Sequence, residues 1–154
     1  MNTSLMFSSA SDEWETPQCI YDLLHAEFDF DVDLAATAEN TKCQSFYDKA
    51  SNSLEQDWVG TFHRGWINPP YSRNKCAHFI HKAARQRIRG FTTVMLLPSR
   101  TDTKAFHAHI YDVSNWKPRE GVEIRFLPGR LKFSNSKTAA PFPSMIVIFR
   151  PEGA

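Results

Sequence analysis

The fold class is decided by residues 61–98, TFHRGWINPPYSRNKCAHFIHKAARQRIRGFTTVMLLP. A short apolar strand ends at Asn68, because each of the two prolines that follow lacks a backbone N–H and fixes φ. Apolar residues then recur at helical spacing over residues 75–90, with basic residues on the other face. The run FTTVMLLP is almost continuously β-branched or apolar, which is typical of a strand buried on both faces. Strand, loop, helix and buried strand together predict an α/β fold with a mostly parallel sheet.

The segments before this unit predict one helix and one strand. Residues 18–28 carry apolar side chains at helical spacing, with Thr16 as the expected N-cap and Pro17 in the first turn. Residues 28–36 alternate apolar and acidic side chains, which indicates a strand that ends near Asp33. The interval from this strand to the two prolines is short for a full set of strands, so we expect a trimmed sheet.

The segments after the unit predict a helix and two strands. Residues 103–114 fit a helix, and residues 121–128 and 144–150 fit two final strands. We expect these strands to pair as an antiparallel C-terminal hairpin and helices to cover both faces of the sheet.

Composition favours one folded domain. The chain has 154 residues and is 42% hydrophobic, enough for a core, and disordered tails are expected only at residues 1–11 and 150–154. No apolar run approaches the roughly 18 residues that span a bilayer, and the N-terminus resembles no signal peptide, so no membrane partner is expected. The three cysteines form no CxxC pair and the six histidines show no metal-ligand spacing. These features predict free thiols in a reducing cytoplasm and no metal site.

Charge is divided along the chain. Residues 1–57 hold twelve acidic and two basic side chains, whereas residues 58–154 hold sixteen basic and five acidic ones. A polyanion is attracted to the second part, although an ordinary solvated surface has the same composition.

The loop Asn68-Pro69-Pro70-Tyr71 carries a specific chemistry. Ligands of α/β sheets bind at the carboxyl ends of the strands, which brings this loop and the loop after Asp33 into one crevice. The side-chain oxygen of Asn68 and the carbonyl of Pro69 offer two acceptors, which suit an NH₂ group, and Tyr71 offers a flat face. A flipped-out nucleobase has both features. Acceptors on both amine hydrogens stabilise the positive charge that develops as the nitrogen attacks, but the tetrapeptide alone is equally compatible with a rigid turn.

This loop resembles the catalytic motif of amino-group methyltransferases that use S-adenosylmethionine. From about Asp12 to Phe149 the chain is similar to the phage-type DNA N6-adenine methyltransferases, the Dam-like family. The similarity is carried by SDEWETPQ, LLHAEFDFDVDLAATAENTKC, INPPYS, LLPSRTDT, FLPGRLKF and PSMIVIF. The resemblance implies a Rossmann-like class I methyltransferase fold, S-adenosylmethionine as methyl donor and double-stranded DNA as partner. It further implies a monomer or weak homodimer in the cytoplasm of a bacterial host.

The resemblance also implies roles for individual residues. The catalytic residues are Asn68, Pro69, Pro70 and Tyr71, and the donor-binding residues are Trp14, Thr16, Pro17, Asp33, Ala35 and Asp48. Thr16-Pro17 is otherwise a simple helix start, and Asp33 a loop cap. For the acidic residue that holds the donor's ribose, Glu55 and Asp57 are alternatives to Asp48. The family's glycine-rich loop is absent, since alanines follow Asp33.

Basic residues are expected to contact DNA phosphates. The predicted DNA-binding residues are Arg73, Lys75, Arg85, Arg100, Arg130 and Lys132. Residues 127–133, LPGRLKF, are interpreted as a target-recognition hairpin or as a plain turn.

These observations predict a DNA methyltransferase that acts on the N6 amine of adenine. Two alternatives remain open: the same chemistry on an RNA base or a protein glutamine, and a DNA-binding module without catalysis.

Overall fold

The structure, a computed structural model, describes residues 13–153. The regular elements in chain order are α1 (Gln18–Phe28), β1 (Val32–Asp33), β2 (Arg64–Ile67), α2 (Arg73–Ile88), β3 (Thr92–Pro98), β4 (Tyr111–Asp112), β5 (Lys117–Pro118), β6 (Val122–Phe126) and β7 (Ser144–Phe149). Short turns of 3-10 and π helix lie at Ser53–Glu55 and Phe106–Ile110. None of the helices in the described chain is long and apolar enough to cross a membrane.

Five strands form one sheet in the order β1-β2-β3-β7-β6. β1, β2 and β3 are mutually parallel, and β7 runs antiparallel to both β3 and β6. Four of the five strands therefore point the same way, which confirms the mixed α/β class and the mostly parallel sheet. The antiparallel pairing of the last two strands is also confirmed.

The chain between β1 and β2 adds no further named strand to the sheet, which agrees with the trimmed sheet that we expected. On the side of β1 that faces away from β2, residues 45–47 form a short bridge, in which the N–H of Asp33 donates to the carbonyl of Ser45 at 3.0 Å. The N–H of Tyr47 donates back to the carbonyl of Asp33 at 2.9 Å. This parallel bridge directs the chain that follows it toward the carboxyl end of the sheet.

The centre of the core is the pair β3 and β7. Met95 and Val147, which face each other across this pair, are fully buried. The prediction that residues 91–98 form a strand buried on both faces is confirmed, because residues 93–98 are all buried, whichever face of the sheet they point to.

The two helices are placed by neighbouring residues of β2, whose side chains point to opposite faces. The ring of Trp66 contacts Tyr21 of α1. Gly65 faces the other way, toward Phe91, and through it toward Trp58 and α2. A Cβ at Gly65 would lie 2.9 Å from the ring of Phe91, so only glycine lets this face close.

One local prediction was wrong. The predicted helix over residues 103–114 ends at Ile110, because the chain turns there into β4 of a small separate hairpin with β5. Residues 127–133 form a loop after β6, which fits the alternative of a plain turn, and a part in target recognition stays a prediction. The predicted tail at residues 1–11 lies outside the described residues. The predicted tail at residues 150–154 stays a prediction, although its first residue, Arg150, pairs with Glu123 at 2.6 Å.

Candidate active site

The proline loop lies between the carboxyl end of β2 and the start of α2. Asn68 follows the last residue of β2 directly, and α2 begins at Arg73. Pro69 is buried, and the thiol of Cys76 in the first turn of α2 reaches the carbonyl of Pro70 at 3.3 Å. The loop is thus anchored at both ends, with a fixed backbone between them.

The amide of Asn68 is held in one orientation. Its Nδ2 donates to the backbone carbonyl of Trp14 and, at 3.0 Å, to Oγ1 of Thr16. Because a carbonyl only accepts, the nitrogen and not the oxygen of the amide must face Trp14. Oδ1 of Asn68 is buried, and no donor among residues 13–153 reaches it. A buried acceptor without a partner is costly, so this atom is a candidate for ligand binding.

A cavity of about 380 Å³ opens beside this amide at the carboxyl ends of β1 and β2. Its walls come from residues 13–14, 34–37 and 68–70 and from Asp48. The structure therefore brings the loop after β1 and the proline loop into one crevice, as predicted. Within the described chain, no three His, Cys, Asp or Glu side chains gather as a metal-binding group.

Two acidic residues, Glu13 and Asp48, border this cavity, and Asp48 is the one predicted to bind the donor. It follows the segment that runs beside β1, and it accepts hydrogen bonds from the backbone and side chain of Ser51 at 2.8 and 2.9 Å. These bonds lower the pKa of the Asp48 carboxyl and keep it ionised. The alternatives Glu55 and Asp57 do not line the cavity, and Asp57 pairs with Arg89.

Asp33 does not line the cavity, and its assignment as a donor-binding residue stays a prediction. Its carboxylate is buried and accepts from the N–H of Ala35 at 3.3 Å and of Lys42 at 3.0 Å. Burial raises the pKa of Asp33 to about 6, against the lowering effect of these two bonds. Through these two bonds Asp33 stabilises the loop whose Ala35 borders the cavity. This position is close to the alternative interpretation of Asp33 as a loop cap.

Of the predicted donor-binding residues Trp14, Thr16 and Pro17, only the first lines the cavity. Trp14 borders the cavity as predicted, whereas Thr16 and Pro17 do not. Pro17, not Thr16, occupies the N-cap position of α1, and it makes no side-chain capping bond. The Thr16 hydroxyl instead contacts Asn68, a role that the sequence analysis missed and that no local motif indicates.

Tyr71 was expected to offer a flat face to a base, but its ring is buried. Its side chain is 2% exposed, its hydroxyl donates to the carbonyl of Leu96 at 3.0 Å, and Phe133 and Phe142 approach its ring edge-on. Burial raises the pKa of this phenol well above its usual value. Both phenylalanines also contact Trp14. Trp14, Phe133 and Phe142 thus form an aromatic cluster with Tyr71 of the proline loop.

The predicted DNA-binding residues do not form one cluster. Lys75 borders the first cavity, whereas Arg73 and Arg100 border a second one. Arg85 lies on the exposed face of α2, twelve residues after Arg73, or about 18 Å at 1.5 Å per residue. The last two predicted residues, Arg130 and Lys132, are exposed in the loop at 127–133.

Comparisons with known proteins show which family this chain belongs to. Residues 3–153 match the family described as DNA N-6-adenine-methyltransferase (Dam). The DNA N-6-adenine-methyltransferase of Escherichia phage T1 is 36% identical over 96 residues, which are 62% of this chain and 39% of that relative. The matched region therefore spans less than half of the relative's length.

Proposed function

We propose, from the premise that this chain belongs to the DNA N-6-adenine-methyltransferase (Dam) family, that it transfers a methyl group from S-adenosylmethionine to N6 of adenine in DNA. The observation that carries the proposal is the buried Oδ1 of Asn68, which no donor in residues 13–153 satisfies. A flipped adenine presents an NH₂ group, which is the donor that this oxygen lacks.

The loop acts on the amine by hydrogen bonding. Oδ1 of Asn68 accepts one hydrogen of the N6 amine, and the carbonyl of Pro69 accepts the other. Both acceptors become more favourable as the nitrogen gains positive charge, so they stabilise the transition state more than the bound base. The amine proton leaves to water, since residues 68–71 contain neither a carboxylate nor an imidazole.

The first cavity fits the methyl donor. About 380 Å³ lies within the range of small-molecule sites, and the small side chains of Ala35 and Ala36 leave room for close backbone approach. When bound, S-adenosylmethionine supplies a methyl group activated by a positively charged sulfur. The ionised carboxylate of Asp48 holds the ribose hydroxyls, and Trp14 packs against the donor.

The fold that supports this activity is proposed to be Rossmann-like. The trimmed parallel strands, the reversed β7 and the helices on both faces are the features that support this assignment. The setting in a bacterial host and the monomeric or weakly dimeric state stay predictions.

The test is the variant Asn68→Ala, assayed by transfer of tritiated methyl groups to duplex DNA. We expect a loss of at least about 100-fold in kcat, the effect of removing one acceptor aimed at a developing charge. Donor affinity, measured by calorimetry, should change by less than about threefold, because the cavity wall is otherwise intact. Asn115→Ala, in the exposed turn between β4 and β5, is the matched control and should keep full activity.

The alternatives give different results in the same assay. RNA and total protein are offered beside DNA, and labelling of either in preference to DNA would reject the substrate assignment. A wild-type chain that binds no donor is not an enzyme, and an active Asn68→Ala variant refutes the mechanism.

A further inference from the structure

A second cavity lies on the other side of the catalytic loop. Its volume is about 510 Å³, and it opens between α2 and residues 102–110, above the carboxyl end of β3. Its floor is apolar and is formed by Ala77, Ile80, Leu97, Phe106 and Met145. Nothing in the donor site or in the bonds to the amine uses this space.

The rim of this cavity is basic. Arg73, Arg100 and Lys104 surround the opening, together with one carboxylate, Asp102. None of the three cations forms an ion pair with a residue in 13–153, whereas cations elsewhere, such as Arg89, are paired with carboxylates. A ligand with an anionic group and a flat apolar group matches both the rim and the floor.

The rim is connected to the catalytic loop through Arg100. Its Nη1 donates to the backbone carbonyl of Tyr71 at 2.5 Å. A guanidinium has five N–H donors in a planar fork, so most of them stay available for an anion. Whatever binds at the rim is therefore held next to the loop that carries Asn68.

We propose that this second cavity binds one nucleotide of the substrate DNA strand, adjacent to the target adenine. The phosphate lies at Arg73, Arg100 and Lys104, and the base rests on the apolar floor. This inference rests on the proposed function, and it gives the strand a fixed register while the target base is out of the stack.

The rim is tested with the double variant Arg73→Ala/Lys104→Ala. Both side chains are exposed, so the fold should be retained. The control is Lys117→Ala/Lys137→Ala, which removes two exposed cations elsewhere. Binding of a fluorescent duplex is measured against salt concentration. We expect the slope of the log–log plot to shrink by about 0.9 for each lost phosphate contact, with no such change in the control.

The floor is tested with Ala77→Phe, which fills the cavity, and with Ala108→Phe as control, since Ala108 is exposed and outside the lining. Ala77→Phe should raise KM for DNA about tenfold or more, the loss of roughly one good stacking contact. Donor affinity and the urea midpoint should stay close to wild type. An unchanged KM for DNA in Ala77→Phe, or an unchanged salt slope in the rim variant, overturns the proposal.

Failure of this inference can be distinguished from failure of the proposed function. If the wild type methylates DNA and the rim and floor variants behave like it, only this inference fails. If the wild type neither binds nor methylates DNA, the proposed function fails and this inference with it.

Discussion

Thr16 should govern the turnover rate through Asn68. Its hydroxyl is the second acceptor for Nδ2 of Asn68, at 3.0 Å, and its side chain is buried. Thr16→Val keeps the shape of the side chain and removes only the acceptor. One N–H of the amide then loses its partner in a buried site, at a cost of about 1–3 kcal/mol.

The amide can relieve this cost by rotating about its remaining bond to the Trp14 carbonyl. Rotation moves Oδ1 of Asn68 away from the position where it accepts from the amine. About 1.4 kcal/mol of lost transition-state stabilisation is a tenfold fall in rate, so we expect kcat to fall about 10- to 100-fold in Thr16→Val.

The assay separates this positioning role from direct donor contact. If Thr16 acts through Asn68, the affinity for S-adenosylmethionine and KM for DNA should change by less than about twofold while kcat falls. Thr16→Ser keeps the hydroxyl and should restore kcat to within about threefold of wild type. A raised KM for the donor with normal kcat would refute the positioning role. Equal losses in Thr16→Val and Thr16→Ser would show that packing, and not the hydroxyl, is what matters.

Two further predictions concern carboxylates. Asp48→Asn should weaken donor binding about tenfold in calorimetry, the loss of one bond to a charged acceptor, while Glu55→Gln, outside the cavity, should bind like wild type. For Asp33, the folded pKa of about 6 exceeds the unfolded value of about 3.9, so the folded chain holds an extra proton between these values. The free energy of unfolding of wild type, relative to Asp33→Asn, should therefore fall as pH rises from 4 to 6.5 in urea titrations. A rising difference would contradict the burial of this carboxyl.

Local patterns were sufficient for most of the fold. Helical spacing gave α1 with the bounds 18–28, and the β-branched run gave β3 to within one residue. Such patterns work because the side-chain periods of helices and strands are properties of consecutive residues. Prediction failed at residues 103–114, where the path of the chain depends on what it packs against.

The candidate site, like the fold, has features that follow from the sequence and features that depend on tertiary packing. The sequence alone predicted the acceptors of the proline loop, because an amide, two prolines and their carbonyls are adjacent in the chain and the prolines fix the backbone. It also brought the loop after Asp33 into the same crevice, through the general rule for parallel strands.

Only the tertiary structure decided how the amide is oriented and which side chains surround it. Thr16 and Asn68 are 52 residues apart, and Phe133 and Phe142 reach Tyr71 from still further along the chain. It also placed Asp48, and neither Glu55 nor Asp57, at the wall of the cavity, and it placed Asp33 outside that wall. Contacts of this kind follow from the packing of distant segments against one another, which no periodicity within a segment records.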